Sequence, residues 1–299
     1  MPAPASPAAP ELLHELALPW YAGHQRDLPW RRPDRSPWGV LVSEVMLQQT
    51  PVVRVEPVWR RWMTLWPAPA DLAAASPGEA VREWGRLGYP RRALRLHAAA
   101  TAIAGDHGGL VPPDEAALRS LPGVGDYTAA AVAAFAFGRR ATVVDTNVRR
   151  VHARAVSGTA LPAPALTRAE VALATSLLPA DDADAATWNV AVMELGALVC
   201  TARSPRCDVC PLSAVCAWRL AGSPPHEGPA RRGQAWEGTD RQCRGRMVQL
   251  LREATAPLPG DALRAVWPDG AQRDRCLDAL VADGLVEPLD DDLFRLPGA

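Results

Sequence analysis

Four cysteines, Cys200, Cys207, Cys210 and Cys216, crowd into one short segment with the pattern C-x6-C-x2-C-x5-C. The opening M-P-A-P-A-S-P-A-A-P has neither a basic n-region nor an apolar h-region, so it does not read as a secretory signal. The cluster therefore reads as a metal site rather than a disulfide framework. Zinc ribbons usually bring two tight cysteine pairs, which this pattern lacks, whereas four thiolates in one segment suit a 4Fe–4S cluster. Spacing alone leaves zinc as the alternative. Arg203 and Arg206 sit in the first loop of the pattern, where they could reach a phosphate or stand solvated. Cys243 and Cys276 lie apart and read as ordinary buried thiols.

Two carboxylates stand in settings that could tune them for acid–base work. Glu44 lies in Leu41-Val42-Ser43-Glu44-Val45-Met46-Leu47-Gln48-Gln49-Thr50, an otherwise apolar helical stretch. Burial among Val42, Val45, Met46 and Leu47 would raise its pKa and keep it protonated; the alternative is a solvent-facing glutamate. Asp145, in Val143-Val144-Asp145-Thr146-Asn147-Val148-Arg149-Arg150, stands at a helix start, where an aspartate is more often an N-cap than a catalyst. Leu121-Pro122-Gly123-Val124-Gly125-Asp126-Tyr127 is a helix–glycine turn–helix pattern. Its glycines allow close backbone approach, and the following helix N-terminus offers N–H groups to an anion such as a phosphate. A tight helical hairpin with no ligand fits the same residues.

The elements that must hold these residues are helices. From about Pro10 to Leu220 the chain reads as helix after helix, with no long alternating strand pattern and no internal repeat. Ser76-Pro77-Gly78-Glu79 combines an N-cap, a proline at N1 and a capping-box glutamate. Pro90 opens a helix that Gly105 would end, Asp126 caps one that Gly138 ends after Phe137, and Asp145 or Thr146 caps the next. A Pro/Gly-rich linker follows over 221–238. Beyond it, Arg241–Ala254, Asp261–Val266 and Ala271–Asp283 read as helices, and 285–288 with 293–296 as a short hairpin, which suggests a winged helix. This segment holds more acidic than basic residues, which speaks against its reading DNA.

The 299 residues carry a net charge of −1, with 48% hydrophobic and 22% charged residues, enough for two domains and a small third. Collagen, coiled coil and wholesale disorder are excluded. No apolar run approaches the ~20 residues of a membrane helix. All 32 basic residues are arginine. Without lysine, pyridoxal enzymes, lysine-dependent lyases and a P-loop lysine are excluded.

In order along the chain, S-E-V-M-L-Q-Q-T, G-R-L-G-Y, L-P-G-V-G-D-Y-T-A, V-D-T-N-V-R-R-V and the cysteine pattern resemble the adenine DNA glycosylases of the MutY type. These belong to the helix-hairpin-helix superfamily that also contains endonuclease III. The resemblance covers about residues 11–220. It implies an all-α, two-domain helix-hairpin-helix DNA glycosylase fold with an iron–sulfur cluster loop, plus a small C-terminal winged-helix-like α+β domain. The expected division is a disordered tail over 1–10, a cluster domain from 11–34 and 146–220, a six-helix barrel carrying the hairpin over 35–145, the linker over 221–238, and the winged-helix-like domain over 239–299.

Family members flip the target base out of the duplex and hydrolyse its N-glycosidic bond. By match to the family, Glu44 is the general acid that protonates adenine, and Asp145 stabilises the sugar cation or bonds to it transiently. Tyr127 and Asn147 match residues that position the acid and the sugar. A hydrophobic setting for Glu44 and an ionised, N-capping one for Asp145 would separate their pKa values as the chemistry requires. Trp30 and Arg31 in L-P-W-R, Leu47, and Glu194 in M-E-L-G-A match residues around the flipped adenine. Gln48, Gln49 and Tyr89 match residues that wedge beside the partner base. Core packing is the alternative for Trp30, Leu47 and Tyr89. Gly123 and Gly125 would meet DNA through the hairpin and Arg203 through the cluster loop, with Cys200, Cys207, Cys210 and Cys216 holding a 4Fe–4S cluster.

Relatives with added lyase activity carry lysine where Tyr127 stands, so the chain reads as monofunctional. Its partner would be double-stranded DNA with adenine opposite 8-oxoguanine or guanine, met by a monomer in the cytoplasm at the nucleoid, with no membrane role. Pro90 stands where members usually have a second tyrosine, and Thr146 where many have glycine. Many bacterial members also continue into a Nudix-like domain that recognises 8-oxoguanine, whereas 239–299 reads as a winged helix. The competing functions are a thymine or uracil mismatch glycosylase of the same superfamily, and a non-enzymatic iron–sulfur DNA-binding redox sensor.

Overall fold

The computed structural model describes residues 8–226, 228 and 236–298. Most of the expected tail and part of the expected linker lie outside the described residues, and Pro10 already opens the first helix, Pro10–His24. The chain folds into two compact units. The first takes the chain up to Pro37, Pro113–Leu118 and the stretch from Gly125 to the linker. The second takes Trp38–Pro112, Arg119–Val124 and the chain beyond the linker. The expected division differs on two counts. Pro113–Leu118 and the stretch from Gly125 through the helix Asp126–Phe137 fall in the first unit, and the C-terminal segment groups with the second rather than standing apart.

The first unit is built around three helices, Pro10–His24, Thr146–Ala155 and Asp182–Leu198. Their buried residues follow helical spacing, with Leu13 and Ala17 on one face, Val148, Val151 and Ala155 on another, and Trp188, Val192, Leu195 and Val199 on a third. That periodicity is why helices, not strands, form here. Leu177, Leu178 and Leu212 close the same core.

The second unit centres on tryptophan. Trp62 meets Trp66 and Trp84 edge-on, with ring centroids 4.9 and 5.6 Å apart. Three buried indole N–H groups find backbone carbonyls: Trp38 donates to Trp66 O at 3.0 Å, Trp62 to Glu83 O at 3.0 Å, and Trp84 to Gly88 O at 2.9 Å. The capping box on Pro77–Trp84 forms as the residues predict, Ser76 accepting from the Glu79 N–H and Glu79 from the Ser76 N–H. Two other expected caps shift by a residue or more. The helix Arg91–Asp106 runs through Gly105, and His107 ends it with the left-handed Gly108 and Gly109 beyond. Gly125, not Asp126, is the N-cap of Asp126–Phe137, while Gly138 ends that helix as expected.

The C-terminal segment runs helix Asp240–Glu253, strand Leu258–Pro259, helices Gly260–Ala265 and Gly270–Ala282, then strands Glu287–Leu289 and Leu293–Arg295. The last strand lies between the other two, antiparallel to both, with Leu258 opposite Phe294 and Glu287 opposite Arg295. This is the winged-helix arrangement, with a third strand that the sequence reading did not find. It is fastened to the rest of its unit: Arg82 donates to the carbonyls of Arg252 and Ala254, Arg252 to Val81 O, and Gly78 N–H to Pro297 O. Among the described residues no helix is long and apolar enough to cross a membrane.

Candidate active site and cluster loop

Asp145 ends an extended stretch that the buried Asn189 grips from both sides, donating to Ala141 O at 2.9 Å and accepting from Val143 N–H. Its carboxylate caps the helix Thr146–Ala155. Oδ1 accepts from the N–H groups of Asn147 and Val148 at 2.8 and 2.7 Å, and Oδ2 from the Asn147 amide at 2.8 Å. The N-cap role and a fixed, aimed carboxylate are thus one arrangement. Burial nonetheless pushes Asp145 above its ordinary pKa, with the three N–H donors and the Arg150 charge pulling the other way. Desolvation is the larger effect, so the cap's N–H donors do not by themselves depress this carboxyl.

Asn147 is held in turn by Arg150, which the sequence reading did not single out. Its guanidinium donates to Asn147 Oδ1 at 2.7 Å, Gly196 O at 2.7 Å and Cys200 O at 2.6 Å. Gly196 permits this packing, since a Cβ there would lie 2.7 Å from Asn147 Cβ. Glu194, two residues earlier, is fully buried and forks with two arginines. Arg26 donates Nε and Nη2 at 2.7 and 2.6 Å and its backbone N–H at 3.1 Å, and Arg31 donates Nη1 at 2.9 Å. Burial alone would raise the Glu194 pKa, but hydrogen bonds and charge from Arg26 and Arg31 outweigh it and hold the carboxyl at about 2. Trp30, 4% exposed, is buried in the same unit. Tyr127 is half-buried in the first turn of its helix.

Glu44 belongs to the second unit, where it is 5% exposed near the end of the helix Pro37–Leu47, so the solvent-facing alternative is overturned. Leu47 and Gln48 follow, half-buried, and then the exposed Gln49 in a left-handed conformation at φ 56°. Tyr89 is also left-handed, at φ 48°, and 46% exposed, so core packing does not account for it. Gly123, at φ 77°, turns the hairpin, and a Cβ there would lie 2.6 Å from Arg95 Cβ. Positive φ and close approach together require glycine at this position.

The four cysteines of the pattern line one pocket, with Arg154, Arg206 and Trp218 also on its wall. Arg154 donates to Cys200 Sγ at 3.4 Å and to Thr201 O at 2.7 Å. The backbone N–H of Leu212 points at Cys210, and those of Arg219 and Trp218 at Cys216. Convergent thiols with N–H and guanidinium donors on the sulfurs are the donor set that a thiolate-ligated cluster needs. Among the described residues, no three Cys, His, Asp or Glu side chains meet around a single ion. Burial pushes the Cys210 thiol up to about 11, and a bound cluster would supply the positive charge that makes it a thiolate. Arg203 is exposed in the loop between the first two cysteines.

Of the predicted residues, the first unit therefore holds Trp30, Arg31, Gly125, Tyr127, Asp145, Asn147, Glu194, Arg203 and the cysteines, and the second holds Glu44, Leu47, Gln48, Gln49, Tyr89 and Gly123. The structure brings Asp145 together with Asn147, and Arg31 with Glu194. Arg26, Arg92, Arg150 and Arg154 were missed. Arg26 meets the distant Glu194 carboxylate, and the partners of the other three are mostly backbone carbonyls, which leave no mark in a sequence.

Comparison with known proteins agrees with this geometry. The family described as HhH-GPD superfamily base excision DNA repair protein matches residues 42–174, and the iron-sulfur binding domain of endonuclease III matches 200–216. The adenine DNA glycosylase of Mycobacterium tuberculosis is 56% identical over 283 residues, covering 94% of this chain and 92% of that protein. The human adenine DNA glycosylase is 43% identical over 208 residues, 67% of this chain and 38% of the human one. Among solved structures, a thermostable thymine-DNA glycosylase superposes with a TM-score of 0.62 at 28% identity, over 71% of this chain and 97% of its own. The chain belongs to the adenine DNA glycosylases of the helix-hairpin-helix base excision repair superfamily.

Proposed function

We propose that this protein is a monofunctional DNA glycosylase that hydrolyses the N-glycosidic bond of adenine mispaired with 8-oxoguanine or guanine. It acts as a monomer on double-stranded DNA, in the cytoplasm at the nucleoid. The observation that carries the reading is Asp145, whose carboxylate is fixed by three N–H donors at a helix start within a chain so similar to adenine DNA glycosylases. The base must leave the stack to be reached. Glu44, in its apolar helix, gives its proton to a ring nitrogen of adenine, which turns a poor leaving group into a neutral one. As the C–N bond breaks and its electron pair goes to the base, the sugar gains oxocarbenium character. Asp145 lies in wait for that charge, and water then adds to the sugar carbon, its released proton restoring the Glu44 carboxyl. Asn147 orients Asp145, and Tyr127 stands where a lyase would need lysine. By match to the family, Trp30, Arg31, Leu47 and Glu194 are the residues that meet the flipped adenine. Gln48, Gln49 and Tyr89 meet the partner base, and Gly123, Gly125 and Arg203 meet backbone phosphates. The cluster, when bound, cross-links the loop 200–216 and carries none of these steps.

The test is base release from duplexes with A opposite 8-oxoguanine, A opposite G, and T or U opposite G, with and without alkali. Alkali-dependent cleavage at adenine, lost in Glu44→Gln, is expected. Release of T or U alone would install the pyrimidine mismatch reading, and no release from any duplex refutes a glycosylase.

A further inference from the structure

Arg92, in the first turn of the helix Arg91–Asp106, is 6% exposed, yet none of its hydrogen bonds goes to a carboxylate. Nη1 donates to the carbonyls of Val45, Met46 and Gln48 at 2.9, 3.1 and 2.7 Å. Nη2 donates to Thr50 Oγ1 at 3.1 Å and to Gly88 O at 3.0 Å. The guanidinium also lies over the Trp84 and Tyr89 rings, 5.1 and 5.6 Å from their centroids. Burial pushes its pKa down to about 10, and Nε has no hydrogen-bond partner. A buried cation without a counter-charge is costly, so its acceptors matter. They are the last carbonyls of the Glu44 helix, where orphan C=O groups and the negative helix end favour a cation, and the turns that follow Leu47 and Leu87.

Those two turns contain Gln49 and Tyr89, both non-glycine residues at positive φ with exposed side chains. Such backbone persists only where surrounding structure over-determines it, and it gathers at functional sites. The planar fork of one guanidinium reaches both turns at once, which a lysine ammonium could not do. Thr50 extends the clamp, its hydroxyl donating to Gln48 O and Leu87 O at 3.2 and 3.3 Å. We propose that Arg92 is a positioning residue for mismatch recognition: it holds the Gln49 and Tyr89 turns side by side, so that the two side chains enter DNA as one preset wedge. This rests on the reading above that Gln49 and Tyr89 meet the partner base.

The test measures affinity for an A:8-oxoguanine duplex against a matched A:T duplex, in a Glu44→Gln background that leaves the DNA intact. Arg92→Lys should cut the preference about tenfold, the scale of one lost stacking contact. In a Gln49→Ala/Tyr89→Ala chain, which has no wedge to position, the same change should alter the preference less than about twofold. Thr50→Val, which keeps the volume and removes the hydroxyl, should give a smaller loss in the same direction and serves if Arg92→Lys does not fold. Equal losses with and without the wedge residues, or no loss in either, overturn the proposal even if the wild-type chain releases adenine. A wild-type chain that prefers neither duplex and releases no base overturns the glycosylase reading, and this inference with it.

Discussion

Replacing Glu194 by glutamine tests the electrostatics of the first unit most directly. The carboxylate is fully buried and held at about 2 by Arg26 and Arg31, against an ordinary 4.5. At about 1.36 kcal/mol per pKa unit, that difference stabilises the folded unit by about 3 kcal/mol at neutral pH. The glutamine would keep one acceptor, but its amide N–H groups would face the guanidinium N–H groups, and Arg31, mostly buried, would lose its counter-charge. Glu194→Gln should therefore unfold at lower denaturant concentration by an equivalent of about 2–4 kcal/mol at pH 7. The sign with pH follows from the depressed pKa. The stabilisation is fully present above about 4.5 and is lost as pH falls towards 2, so the gap between wild type and variant should hold from pH 7 to 5 and shrink below 4.5. Comparing the two proteins cancels any acid loss of the cluster. A gap below about 0.5 kcal/mol at pH 7, or one that grows on acidification, would refute the argument.

Other perturbations probe separate links. His152, buried with its Nε2 lacking a hydrogen-bond partner, has its pKa lowered by desolvation to about 4 from 6.5, so it folds neutral. Folding should lose about 3 kcal/mol between pH 6.5 and 4 as the unfolded chain takes up the proton, and His152→Leu should lose that slope in denaturant titrations; parallel slopes would refute it. Gly123→Ala places a methyl at positive φ and 2.6 Å from Arg95 Cβ, so duplex affinity should fall at least about tenfold, with the helices intact by circular dichroism. Asp145→Asn keeps the cap but removes the charge, so single-turnover adenine release should fall by about a hundredfold or more, and an unchanged rate would remove Asp145 from the chemistry. Cys210→Ser should lose the visible thiolate-to-iron absorption and, with it, thermal stability of the loop 200–216.

What the sequence determined by itself is mostly local. The capping box at Ser76, the Asp145 cap, the Gly138 stop and the hairpin glycine all depend on contacts within a few residues, so their residue types and offsets state the structure directly. The cysteine spacing belongs to the same class, since its four ligands lie within one loop. The winged helix was legible from its helices and hairpin. Its strand Leu258–Pro259 was not, because two residues carry no alternation and acquire strand character only by pairing with Phe294 and Leu293. Tertiary structure alone decided that Glu194 meets Arg26 and Arg31 across more than a hundred and sixty residues, that Glu44 is buried, and that Arg92 and Arg150 are hubs. Arginine is the only strong base in this chain and is spread throughout it. Which guanidinium is buried, and against which carbonyls, depends on where the helices cross, and a carbonyl looks the same at every position in a sequence.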